Sequence, residues 1–219
     1  MGGSPSSELD GFSAALAALA ARAAEWIYEP DPRQRPLPWV LTLGEQTVHL
    51  RYKQRQLLNR DGTNSVRKAT FVATLELSGE RKRVFVLAFQ GTSSDKDWLT
   101  NLGVERNRRA FARLGLAVHS GWAATIDSDF HFSAMKAGLE EEAKSEGGID
   151  AVLLCGHSLG GAIAQIAAMF LYNEALADEN LQKWTQCLHC YTFGAPTPFS
   201  LPEEAELQAE AKAALEWMQ

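Results

Sequence analysis

Cysteine is scarce in this sequence. Only three occur in 219 residues, at Cys155, Cys187 and Cys190. An odd, low count argues against a disulfide scaffold and for a reducing, cytoplasmic setting. The first residues lack the basic start and apolar stretch of a secretory signal. No run approaches the ~18 consecutive apolar residues of a membrane-crossing helix. Basic residues are rare in the second part of the chain. Residues 116–219 hold 4 Lys and Arg against 15 Asp and Glu, a net charge of −11. Residues 1–115 hold 17 against 12, a net charge of +5. No basic stripe interleaves with aromatics, which argues against nucleic acid as a partner. The positive part suits an anionic interface or phosphate headgroups, and equally a solvated face.

What is present is ordinary for a soluble globule: 46% hydrophobic and 22% charged residues. The length suits one domain, and folding at this size buries roughly 70% of the chain's area. We expect a disordered leader over residues 1–7 and one domain over 8–219. Met1-Gly2-Gly3-Ser4-Pro5-Ser6 fits the loose N-myristoylation pattern, as would a cloning scar or disordered leader. A single myristoyl chain gives only marginal anchoring.

Leu9, Phe12, Leu16, Leu19 and Trp26 form a helical stripe in an Ala-rich segment, closed by Pro30 and Pro32. Val48, Leu50 and Tyr52 alternate with polar residues as in a half-buried strand. Residues 69–90 read as an antiparallel hairpin, turning at Ser78-Gly79-Glu80. Its second strand, Val84 to Phe89, is apolar throughout and so buried on both faces. Helix is expected from Trp122 to about Lys144, with Ile126, Met135 and Leu139 inward and Glu140-Glu141-Glu142 outward. Gly147-Gly148 stops it. Strands at 151–155 and 186–193 alternate with helices at 159–172 and 203–218. That alternation favours parallel pairing, with ligands at the carboxyl ends of the strands.

Gly156-His157-Ser158-Leu159-Gly160 is G-x-S-x-G between a buried strand and a helix, the context of a nucleophile elbow. The turn is sharp, and glycines at 156, 160 and 161 remove side chains that would clash. The hydroxyl of Ser158 then stands at a helix N-terminus, where the dipole favours a developing anion. An oxyanion hole takes one donor from the N–H of Leu159. Thr92, following Phe89-Gln90-Gly91, offers an N–H and a hydroxyl as the second.

Five segments stand in order: Val86-Leu87-Ala88-Phe89-Gln90-Gly91-Thr92, Asp97-Trp98-Leu99-Thr100-Asn101-Leu102, Val118-His119-Ser120-Gly121-Trp122, Gly156 to Ala162, and Tyr191-Thr192-Phe193-Gly194-Ala195-Pro196. Together they resemble the class 3 (fungal-type) lipase family of α/β-hydrolases. The resemblance covers residues ~84–196 and is slight over 1–80. It implies a three-layer sandwich with a mostly parallel central sheet and an antiparallel N-terminal hairpin. It implies an ester hydrolase acting on acylglycerols or other lipids, with no cofactor and no metal. Ser158 becomes the nucleophile, Thr92 the side-chain oxyanion donor and Leu159 the backbone donor. A short lid is placed at about Ser93–Leu102, with Trp98 over the acyl groove. An oil–water interface, at a membrane or a lipid droplet, would favour the open lid. Gln90 departs from the family's usual Arg.

The pattern breaks after Pro196. In this fold the order is Ser, then Asp or Glu, then His. The strand that should carry the acid, and the His beyond it, have no counterpart in these residues. Only His189 follows Ser158, with Asp178 between them. His189 is expected mid-strand, roughly 16 Å from the elbow's edge of the sheet. His119, near the carboxyl edge, is a weak substitute base. Cys187 and Cys190 are expected on opposite faces of one strand, as buried thiols. We therefore expect a domain truncated at its C-terminal edge, with a poorly active Ser158. The alternative is a non-catalytic lipid- or partner-binding pseudoenzyme. Self-association through an exposed edge strand at 186–193 is expected unless the N-terminal helix covers it.

Overall fold

The computed structural model describes residues 6–29, 40–43, 46–58, 68–77, 79–91, 106–111, 116–119, 129–177, 184 and 186–200. Helix α1 (Ser6–Trp26) is the Ala-rich segment. It begins within the stretch expected to be disordered, so Ser6 and Ser7 are helical. Alanine loses no side-chain entropy in a helix, and the stripe through Leu16, Leu19, Ala23 and Trp26 is buried. Trp26 meets Phe71 edge to face at 5.6 Å.

Strands β1 (Val40–Leu43), β2 (Gln46–Leu58), β3 (Lys68–Leu77) and β4 (Glu80–Phe89) follow. They pair antiparallel in sequence, so the expected hairpin extends into a four-stranded meander. Leu77 pairs with Glu80, which leaves a two-residue loop, and Gly79 takes φ 87° there. Helix α2 (Asp129–Lys144) ends before Gly147 and Gly148, both at positive φ. Strand β7 (Ala151–His157) leads directly into helix α3 (Leu159–Ala177), and strand β8 (Leu188–Phe193) follows. Strands β5 (Arg106–Phe111), β6 (Leu116–His119) and β9 (Phe199–Ser200) form a separate three-stranded sheet.

The main sheet has the order β1-β2-β3-β4-β7-β8. β7 runs parallel to β4 and β8 parallel to β7. Four of the six strands therefore point one way, and β1 and β3 run against them. The expected α/β architecture is present, with helices on both faces. On one face Phe85, Leu87, Phe89, Val152 and Leu154 pack with α2 and α3. On the other, Val84, Val86, Ala88, Leu153 and Cys155 pack with α1. This is period-2 alternation with both faces covered, which is why β4 and β7 read as unbroken apolar runs. Phe71, Phe85 and Phe89 are fully buried, each contributing about 2–3 kcal/mol of hydrophobic stabilisation. Among the described residues no helix is long and apolar enough to cross a membrane.

Two expectations are corrected. Glu142 does not face outward with its neighbours. It is buried and accepts from the Arg83 guanidinium at 2.7 Å. Cys187 and Cys190 do not lie on opposite faces of a strand. Cys187 sits in the turn before β8, where alternation does not apply, and both pack against the α2–α3 side of the sheet. The three cysteines form no disulfide among the described residues. Burial pushes the Cys190 thiol up to about 12 and raises Cys155 as well, so both stay protonated across the ordinary pH range.

β8 ends the sheet among the described residues, and α1 lies against it. The Tyr191 hydroxyl donates to the Ser13 carbonyl at 3.3 Å, and Tyr191 and Phe193 pack into the α1 cluster. Residues 93–102, 120–128 and 201–219, which carry the expected lid, the start of the second helix and the final helix, lie outside the described residues.

Candidate active site

The carboxyl ends of β4, β7 and β8 meet at Ser158. β7 ends at His157 and α3 starts at Leu159, so one residue makes the whole connection. Ser158 takes φ 54°, the only positive φ of a non-glycine among the described residues. That conformation costs an L-residue about 1–2 kcal/mol and persists only where the surroundings enforce it. Here they do. The Ser158 N–H donates to the Phe193 carbonyl at 2.9 Å, which ties the turn to β8. Its carbonyl accepts from Gly161 N at 3.0 Å and Ala162 N at 3.3 Å, which opens α3. Ser158 is half-buried and Leu159 is buried. As the first helical residue, Leu159 has no intrahelical acceptor for its N–H.

The three glycines of the motif are required by space. A Cβ on Gly156 would strike the Gly160 carbonyl and come within 2.7 Å of Gly161 N. One on Gly160 would strike the Phe89 carbonyl and lie 2.8 Å from both Gln90 C and Gly91 N. One on Gly161 would lie 2.6 Å from Ala195 Cβ. The start of α3 is thus pressed onto the backbone that leaves β4, one residue before Thr92. Thr92 itself, and Trp98, lie outside the described residues.

The histidines divide by register. His189 pairs with Leu153, five positions before Ser158 along β7, so it sits deep in the sheet. Burial lowers its pKa, which favours a neutral ring. His119 pairs with Arg106 in the small sheet. His157 is exposed, and its ring meets Tyr28 edge to face, with centroids 6.0 Å apart. Tyr28 is the residue that reading the sequence missed. It lies just past α1, and its hydroxyl accepts from Gly91 N at 3.0 Å. The same oxygen is 3.3 Å from His157 Nδ1 and 3.4 Å from the His157 carbonyl. Burial raises the Tyr28 pKa, with the Gly91 hydrogen bond opposing in part, so the phenol is neutral. A lone tyrosine after a helix carries no pattern that points to this contact. Beside it lies a mostly apolar cavity of about 380 Å³, lined by Ala21, Ala24, Glu25, Tyr28, His157 and Phe193.

A strained serine between a parallel strand and a helix, at a sheet edge packed through glycines, matches the chemistry of acyl transfer. A family model for class 3 lipases matches residues 86–210, more than half of the chain. No curated protein matches it. With the doubly covered sheet and this match, the chain belongs to the class 3 lipase family, α/β-hydrolases that cleave lipid or other ester substrates.

Proposed function

We propose that Ser158 is the nucleophile of a lipid-ester hydrolase and that this chain, by itself, is a slow one. The observation that carries the reading is the 54° φ of Ser158 at the one-residue link between β7 and α3. A strained serine at a strand-to-helix turn supports reading the segment as a nucleophile elbow. Ser158 Oγ attacks the ester carbonyl carbon, its proton passing to water, and the carbonyl electrons move onto oxygen. Collapse breaks the ester C–O bond, the alcohol leaves with a proton from water, and a second water hydrolyses the acyl-serine to the acid and free Ser158. The N–H of Leu159 and the N–H and hydroxyl of Thr92 receive that oxyanion. The packing of Gly91 against His157 and Gly160 brings the end of β4 to the turn, and Thr92 is the next residue in the chain. The substrate class is acylglycerol-like, approached at an oil–water interface, with the segment around Trp98 as lid. A cytoplasmic setting with peripheral membrane contact belongs to the same reading.

Low activity follows from the base. Among the described residues, His157 is engaged by Tyr28, His189 lies five strand positions back along the sheet, and His119 is on a strand of the separate small sheet. A site lacking triad members retains roughly 10³–10⁴-fold acceleration over water from its oxyanion donors and binding. A short-chain p-nitrophenyl ester tests this. The chain is expected to turn it over slowly, and Ser158→Ala is expected to bring the rate to background. The placement of His189 also favours a second reading, a lipid- or partner-binding pseudoenzyme. Equal rates for the two proteins, together with saturable fatty-acid binding, would establish that reading and overturn the first.

A further inference from the structure

We infer that Tyr28 is a positioning residue for the proposed reaction: its hydroxyl ties the end of β4, through Gly91, to the turn that carries Ser158. The inference rests on Ser158 being the nucleophile. Tyr28 lies outside the segment that matches the family, and it reaches the site from the opposite layer of the sandwich. A phenol has one proton to give and lone pairs to receive. Gly91 N–H donates to it at 3.0 Å. Its own proton goes to the His157 carbonyl at 3.4 Å or to His157 Nδ1 at 3.3 Å, whichever tautomer the ring adopts. Both acceptors belong to the residue directly before Ser158. One oxygen atom therefore joins the two arms of the site.

The fit is mutual. A Cβ on Gly91 would strike the Tyr28 hydroxyl and lie 2.7 Å from the His157 carbonyl. The glycine leaves the room that the phenol fills. The consequence is chemical, because Thr92 is the next residue and the proposed second oxyanion donor. Displacing a positioned group by about 1 Å costs roughly 100-fold in rate. Oxyanion donors lose 10²–10³-fold when removed outright. A donor that is loosened rather than removed falls below those limits, at about tenfold.

Tyr28→Phe keeps the ring and removes the oxygen. Tyr191→Phe is the control, because it removes a different phenol bond between the N-terminal segment and the sheet, that from Tyr191 to the Ser13 carbonyl. Two readouts are taken: residue-resolved amide hydrogen exchange, and the rate at which a fluorophosphonate probe labels Ser158. In Tyr28→Phe the Gly91 amide is expected to exchange at least about tenfold faster, with Val86 and Ala88 unchanged, and Ser158 to label about tenfold more slowly. Tyr191→Phe is expected to stay within about twofold of the parent in both readouts. Unchanged exchange at Gly91 in Tyr28→Phe would overturn the inference. So would faster exchange with an unchanged labelling rate, or a Tyr191→Phe protein that behaves like Tyr28→Phe. A parent that takes no label sinks the reading of Ser158; the Gly91 exchange rate then still decides whether the bridge exists.

Discussion

Gly160→Ala is expected to destabilise the protein by about 3 kcal/mol, the upper end of the overpacking range. The sign is the informative part. In an unconstrained helix, alanine is favoured over glycine by about 1 kcal/mol. At position 160 the added carbon meets the Phe89 carbonyl, Gln90 C and Gly91 N. These are backbone atoms, so no side chain can rotate away. Either α3 lifts from the sheet or the end of β4 moves, and both displace the proposed site. Gly138→Ala, on α2, provides the contrast. Its Cβ would meet only the edge of the Phe85 ring, 3.6 Å away, an ordinary contact. That variant is expected to gain up to about 1 kcal/mol. Urea denaturation reads both, as shifts in midpoint at constant slope. A Gly160→Ala protein as stable as the parent would show that the helix and the strand end are not pressed together.

Glu142→Ala is expected to cost about 2–3 kcal/mol. Breaking a fully buried ion pair costs roughly 3–5 kcal/mol, and partial exposure of Arg83 reduces that. The Glu142 side chain is 9% exposed and that of Arg83 is 22%. The guanidinium also donates to the Gly148 carbonyl at 2.6 Å, the Glu146 carbonyl at 3.0 Å and Ser145 Oγ at 2.9 Å. It closes the end of α2 onto β4. The backbone of Arg83 exchanges two bonds with Asp150. Arg83 N donates to Asp150 Oδ2 at 2.6 Å, and Asp150 N donates to the Arg83 carbonyl at 2.8 Å. These bonds set the register in which β7 begins beside β4, Val84 against Ala151. For a chain of this length the loss should appear as a fall in Tm of about 5–10 °C. A change within about 0.5 kcal/mol would mean that water replaces the carboxylate at no cost.

The elements that could be read from the sequence are those whose signal is local. Val84 to Phe89 is apolar at every position because both faces of β4 are covered, and a short apolar run between turn residues says so. The glycines at 156, 160 and 161 stand close together in the chain and close together in space. The Arg83–Glu142 pair spans 59 residues, and the Tyr28–Gly91 bond spans 63. No periodicity marks either. Glu142 looks like the third member of a solvated acidic run until β4 is placed beside it. Tyr28 looks like the frayed end of an Ala-rich helix until the parallel strands bring Gly91 to it. Cys187 departs from expectation for a smaller reason: β8 begins at Leu188, so strand alternation does not reach back to it.

The measurement that goes most directly to the central claim is the reaction of the intact chain with excess fluorophosphonate, followed by mass determination and peptide mapping. One adduct on Ser158, accumulating slowly and absent from Ser158→Ala, is the predicted result. An unmodified chain, or an adduct on any other residue, would contradict the account of Ser158 as a presented nucleophile.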